Sequence, residues 1–283
     1  MRELNKRLDL CSINTATLGY QQPIDETIEA VARVGFGAIA PWRRELEGES
    51  AKQVGRHIRD AGLCVSGYCR SSYIPAENET QFMAGIDDNR RAIDDAVELA
   101  ARCFVMVVGG LPAGSKNLAA ARQQVHDGMA ILLEHASSRD MPLAIEPLHP
   151  MYAADRACIN TLDQALDLCD ALDPSQGGSV GLAVDLYHVW WDPQLEAHLT
   201  RAGRENRLFG FHVCDWLVPT SDMLLDRGMM GDGVIDIPLI RSWMEQAGYA
   251  GSVEVEIFSR DNWWKRQPAE ILATCAERLQ TVC

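Results

Sequence analysis

The chain has 283 residues, 47% of them apolar and 23% charged, with a formal net charge of −14. That is the composition of a soluble globular protein, and the length suits one large α/β domain with a sizeable core. The acidic balance and the lack of any basic run speak against a nucleic-acid partner, which needs clustered Lys and Arg; no apolar run nears the roughly 18 residues of a membrane helix.

The N-terminal residues 1–7 are polar and carry neither a secretory apolar region nor a small-residue cleavage site, so a cytoplasmic location is expected. Nine cysteines are scattered without a C-x-x-C pair. Neither a disulfide framework nor a structural zinc is expected, and Cys103, Cys169 and Cys214 read as small core residues.

In chain order, strand-like runs alternate with helical periods. Residues 8–13 form a first expected strand, and 23–34 a helix with Pro23 at its start, acids in its first turn and Gly35 at its end. A second strand is read at 37–40, a helix at 49–61 closed by Gly62, and a third strand at 63–68. Apolar residues at Ile93, Val97, Ala100 and Ala101 mark a helix over 87–102. The fourth strand is 104–108, and its helix 118–137. The fifth strand ends at Glu146, and Thr161 caps a helix over 161–172. The sixth strand ends at Asp185 and precedes a helix at 194–202. The seventh ends near His212 and precedes a helix at 237–247. The eighth ends near Glu256, and a last helix covers 268–280.

Eight such units predict an α/β fold, an eight-stranded parallel β/α (TIM) barrel spanning residues 1–283 as a single domain. An open doubly wound sheet is the rival, but no G-x-G-x-x-G or Walker A motif is present. Three longer strand-to-helix segments, 69–86, 147–160 and 213–236, are expected on the active face.

The chemistry sits at the ends of strands five to eight. Glu146, Asp185, His212 and Glu256 each stand at or one step past a short apolar run (141–145, 179–184, 208–211 and 252–255), the pattern of buried parallel strands. Taken singly, each has a plain alternative: a surface acid, or a satisfied core histidine. Taken together, three carboxylates and one imidazole at one depth suit a hard or borderline divalent ion such as Mn²⁺, Mg²⁺ or Co²⁺. His188 lies three residues beyond Asp185, within reach of the same pocket or packed among aromatics. Trp190 and Trp191 wall a pocket or pack in the core. Asp215 orients His212 or caps a loop. Glu254 shares a strand face with Glu256, lower in the barrel or engaged by a basic partner.

These residues resemble the sugar phosphate isomerase/epimerase superfamily of xylose isomerase-like barrels. The resemblance covers essentially the whole chain. It rests on Glu146-Pro-Leu-His, Asp185-Leu-Tyr-His188, His212-Val-Cys-Asp, Arg227 ahead of Gly231-Asp-Gly233, and Val255-Glu256-Ile-Phe-Ser. It implies that Glu146, Asp185, His212 and Glu256 hold one divalent ion (Mn²⁺, Mg²⁺, Co²⁺ or Zn²⁺), and that His188 and Arg227 contact substrate oxygens. Glu146 and Glu256 would also act as acid and base on opposite faces of the substrate. The chain lacks the many extra histidines of the trinuclear zinc site in the superfamily's endonuclease IV.

The expected activity is that of a metal-dependent sugar isomerase or epimerase. Proton transfer would run through a metal-stabilised enediolate of a ketose, hydroxy-aldehyde or related polyol ketone. The first alternative is a lyase: an inosose- or dehydroshikimate-type dehydratase, or an enzyme cleaving a 3-keto-glycoside. The second is a sugar-binding barrel without turnover. The expected partner is a small-molecule carbohydrate, with no nucleic acid and no membrane. No Gly-rich phosphate cup follows strands seven and eight. Trp263 and Trp264, read as exposed, are the candidate seed of a homo-oligomer interface.

Overall fold

A computed structural model describes residues 2–283. Its strands, in chain order, are β1 (Cys11–Asn14), β2 (Ala38–Ala40), β3 (Cys64–Val65), β4 (Phe104–Met106), β5 (Leu143–Ile145), β6 (Val180–Asp185), β7 (Leu208–Val213), β8 (Asp215–Trp216), β9 (Arg227–Gly228) and β10 (Val253–Val255). Eight of them form one parallel sheet in the order β3-β2-β1-β10-β7-β6-β5-β4. Parallel bridges from Val65 to Ala101 and from Tyr68 to Phe104 join the two ends. The β8–β9 pair is a separate antiparallel hairpin.

The helices are α1 (Ile24–Val34), α2 (Ala51–Asp60), α3 (Glu79–Leu99), α4 (Leu118–Ser137), α5 (Leu162–Leu172), α6 (Leu186–Val189), α7 (Leu195–Arg204), α8 (Ile237–Gln246) and α9 (Pro268–Thr281). One or two follow each sheet strand, which is the repeat the periodicity predicts. Six of the starts are set by side chains that accept an orphan backbone N–H. Thr161 accepts from Gln164 N at 3.2 Å and Asn117 from Ala120 N at 3.0 Å. Gly35 ends α1 at φ 98°, a left-handed turn that costs a side-chain-bearing residue strain.

The core lies between the sheet and the helices, and every residue of β1, β4, β5 and β6 is buried. Inside the barrel the packing is partly polar: Ser12, Asn14, Glu254 and Glu256 are buried together with the aliphatic layers. None of the helices among the described residues is long and apolar enough to cross a membrane.

Several expectations need correction. The first strand begins at Cys11, because Leu8–Leu10 turn as a 3-10 helix. Helix α3 starts at Glu79, well before residue 87: Asn78 caps it, accepting from Gln81 N at 3.0 Å, and its first turn is exposed and so carries no apolar period. The third and fourth strands are shorter than read, ending at Val65 and Met106 and not at Tyr68 and Val108. Trp263 is buried, and Trp264 is half-buried, donating from Nε1 to Ala16 O at 2.7 Å, so neither is exposed as read. All nine cysteines are free, and seven are buried, Cys103, Cys169 and Cys214 among them.

Candidate metal centre

Strands β5, β6, β7 and β10 are neighbours in the sheet. Parallel pairing therefore places their C-terminal ends side by side. Asp185 is the register partner of His212, and His212 that of Glu254. Glu146 and Glu256 each stand one residue past a strand, after Ile145 and Val255. Glu146, Asp185, His212 and Glu256 are all buried, and one ligand atom from each lies within 4.8 Å of the others.

Burial makes the local electrostatics strong. His212 turns Nδ1 to the acids, 3.0 Å from Glu146 Oε1 and 3.9 Å from Glu256 Oε2, while Nε2 lies 3.6 Å from Glu254 Oε1. Burial pulls the His212 pKa down, but Glu254, Glu146 and Glu256 together hold it well above the ordinary value. Burial and the charge of Glu146 push the Glu256 carboxyl well up, against Arg227 and His212. Asp185 goes the other way. Burial opposes its ionisation, yet Arg227, His188 and His212 hold it at about 2.

Arg227 reaches in from β9. Its Nη1 donates to Asp185 Oδ2 at 2.8 Å and to Glu256 Oε2 at 3.1 Å. Its Nη2 lies 3.2 Å from His188 Nε2. A guanidinium can only donate, so Nε2 of His188 accepts and its ring proton sits on Nδ1. Burial pushes the His188 pKa down to about 3, which keeps the ring neutral. That Nδ1 is buried without a hydrogen-bond partner among the described residues.

This donor set fits a divalent cation. Three carboxylates and one imidazole, with no thiol, are ligands of hard or borderline ions. The repulsion between Glu146 and Glu256 that raises the latter's pKa is what a cation between them relieves. Beneath the four lies a supporting layer the sequence did not reveal. Asn14, at the end of β1, donates from Nδ2 to both Glu254 Oε1 and Glu256 Oε1 at 2.9 Å, and its Oδ1 accepts from Trp42 Nε1 at 2.6 Å. Ser66 donates to Glu254 Oε2 at 2.7 Å. Glu254 is thus held by uncharged donors below the site, with the basic His212 ring 3.6 Å away. The one sequence signal for this layer is polarity at strand positions where apolar residues are expected.

A cavity of about 360 Å³ opens above Glu146, His188, Arg227 and Glu256. Its aromatic wall is Tyr20, Trp42, Tyr152, Phe258 and Trp264. Trp190 and Trp191 are not part of it. Trp190 packs on Trp216, and Trp191 donates to His188 O at 2.8 Å. Asp215 is a loop cap, accepting from the backbone N–H of Trp216, Gly231 and Ile235.

The family profile described as xylose isomerase-like TIM barrel matches residues 28–280. The chain belongs to this family. A crystallised protein of Sinorhizobium meliloti 1021 is 52% identical and superposes with a TM-score of 0.94, covering 98% of this chain and 99% of that one. The IOLI protein, whose structure holds a zinc atom, shares the fold at 18% identity and a TM-score of 0.79, over 96% of this chain and 98% of its own. The 3-keto-D-glucoside 4-epimerase YcjR from E. coli shares it at 20% identity and a TM-score of 0.74, over 96% and 98%. No curated protein matches the sequence.

Proposed function

We propose that the protein is a divalent-metal-dependent isomerase or epimerase of a small hydroxy-ketone or hydroxy-aldehyde sugar. The observation that carries this reading is one cavity floor on which Glu146 and Glu256 meet at a four-ligand cluster, beside a neutral His188 and a buried Arg227. Glu146, Asp185, His212 and Glu256 would hold the ion. A bound divalent ion supplies charge stabilisation for the oxygen of a substrate carbonyl as an adjacent C–H proton leaves.

The chain's own residues do the rest. Glu146 and Glu256 reach the cluster from different strands, β5 and β10. One takes a proton from carbon and the other returns it. Return to the same carbon from the opposite face gives an epimer, and return to the neighbouring carbon an isomer. Arg227 and His188 line the cavity and would contact substrate oxygens. The aromatic wall suits the apolar faces of a sugar. Asn14 and Ser66 fix the carboxylates from below.

The test is a screen of ketoses and inososes in D₂O with Mn²⁺ present, read by NMR. Deuterium entering a carbon next to the carbonyl, lost in Glu146→Gln, supports the reading. An enone product without exchange points to a lyase. No turnover and no exchange with any metal refutes it.

A further inference from the structure

Above the candidate metal centre the cavity carries three more cations. Arg44 follows β2, Arg70 follows β3 and Arg156 follows β5, and all three line the same cavity as Glu146 and Glu256. Arg44 is exposed and Arg70 and Arg156 are half-buried, whereas Glu146, Glu256, His188 and Arg227 are buried. The three therefore form a rim and the buried four a floor.

Each rim guanidinium rests on a tyrosine ring. The Cζ of Arg44 is 4.1 Å from the Tyr20 centroid, that of Arg70 4.8 Å from Tyr73, and that of Arg156 5.6 Å from Tyr152. A ring contact orients a guanidinium and leaves its N–H edge for other partners. Those edges are nearly unspent. Arg70 donates once, from Nη1 to Ser71 O at 3.0 Å. Among the described residues no carboxylate lies within 4.0 Å of any of the three. Elsewhere the chain pairs its arginines freely: Arg201 alone meets Asp163, Asp167, Asp170 and Glu205. The acid nearest Arg44 in sequence, Glu45, is taken by Thr15 Oγ1 and by Trp42 N.

Acids outnumber bases 40 to 26 in this chain, so three cations around one cavity that make no ion pair among the described residues are not a composition effect. Among the described residues the only carboxylates lining the cavity are Glu146 and Glu256 of the floor; Arg227 pairs with Glu256, and a cation held by the four ligands would offset the rest. The rim is left with positive charge, focused by an aromatic, low-dielectric wall. We infer that the substrate carries an anionic group, a carboxylate or a phosphate, at the end remote from the metal centre, and that Arg44, Arg70 and Arg156 receive it. The inference rests on the reading of this cavity as the substrate site and narrows that reading from sugars to sugar acids or sugar phosphates.

The test is calorimetric binding at low ionic strength, with Mn²⁺ present, of D-fructose, D-fructuronate and D-fructose 6-phosphate. These share the ketose end and differ only at the far carbon. At least one anionic ligand is expected to bind about tenfold tighter than D-fructose, the difference one charge-assisted hydrogen bond supplies. The two anions, compared with each other, separate carboxylate from phosphate. In the Arg44→Gln/Arg70→Gln/Arg156→Gln protein, and stepwise in the single variants, that ratio is expected to fall toward one. Equal affinities, no binding of any ligand, or a preference that survives all three substitutions overturns the inference. Turnover is scored separately. Anion preference without turnover leaves this inference standing and removes the isomerase reading; D-fructose turnover without anion preference removes this inference alone.

Discussion

Nη1 of Arg227 donates to Oδ2 of Asp185 across 2.8 Å, and both groups are fully buried. A buried ion pair gains little over apolar packing, but removing one partner strands the other charge. Arg227→Met is therefore expected to destabilise the metal-free protein by about 3–5 kcal/mol in urea unfolding. Saturating Mn²⁺ should narrow that gap, since a cation held by Asp185 and Glu256 would offset the charge that Arg227→Met strands and so stabilise the variant more than the wild type. An unchanged urea midpoint would show that the pair is not held as described.

Glu146 and Glu256 carry two roles in the proposed reaction, and glutamine separates them. Glu146→Gln and Glu256→Gln keep a ligand oxygen and remove the proton-transfer group. Each is expected to cut turnover by about 10²–10⁴-fold, with Mn²⁺ uptake, read by elemental analysis, much less affected. Wild-type turnover in both variants would remove these residues from proton transfer.

Gly110 fixes the loop that carries Tyr152 and Arg156. A Cβ on it would stand 2.5 Å from Ala154 O, where Leu111 N already donates to the same carbonyl at 2.7 Å. Gly110→Ala must push backbone against backbone, so a loss of about 1–3 kcal/mol is expected. Ligand affinity should fall with Mn²⁺ uptake retained, because the loop walls the cavity and carries none of the four candidate ligands.

His57 on α2 lies between two acids of α1, with Nδ1 2.8 Å from Asp25 and Nε2 2.9 Å from Glu29. The bonds to Glu29 and Asp25 raise its pKa above the ordinary 6.5. A pKa raised on folding adds stability below the unfolded value, and that stability is lost as pH rises through the folded value. His57→Gln should thus cost about 0.2–1 kcal/mol at pH 5.5, the scale of a solvent-screened pair, and close to nothing at pH 9. Urea titrations at the two pH values check the sign.

Local patterns made much of the molecule legible. Helices α4 and α5 lie where periodicity and Thr161 place them, because capping and an amphipathic face act within a few residues. The start of α3 was missed for the same reason: its first turn is exposed, so no apolar period marks it. The ends of strands five to eight were readable because each apolar run there stops at a polar residue, Glu146, Asp185, His212 or Glu256.

By itself, the sequence determined the alternation of strands and helices, the parallel barrel, and Glu146, Asp185, His212 and Glu256 as strand-end candidates. Tertiary structure alone decided what surrounds them. Asn14 meets Glu256 across 242 positions of chain, Arg227 enters on a hairpin, and Arg44, Arg70 and Arg156 converge from loops after three different strands. Periodicity reports which face of an element is buried. Which side chains meet there depends on barrel closure and strand register, and these follow from the packing of the whole chain.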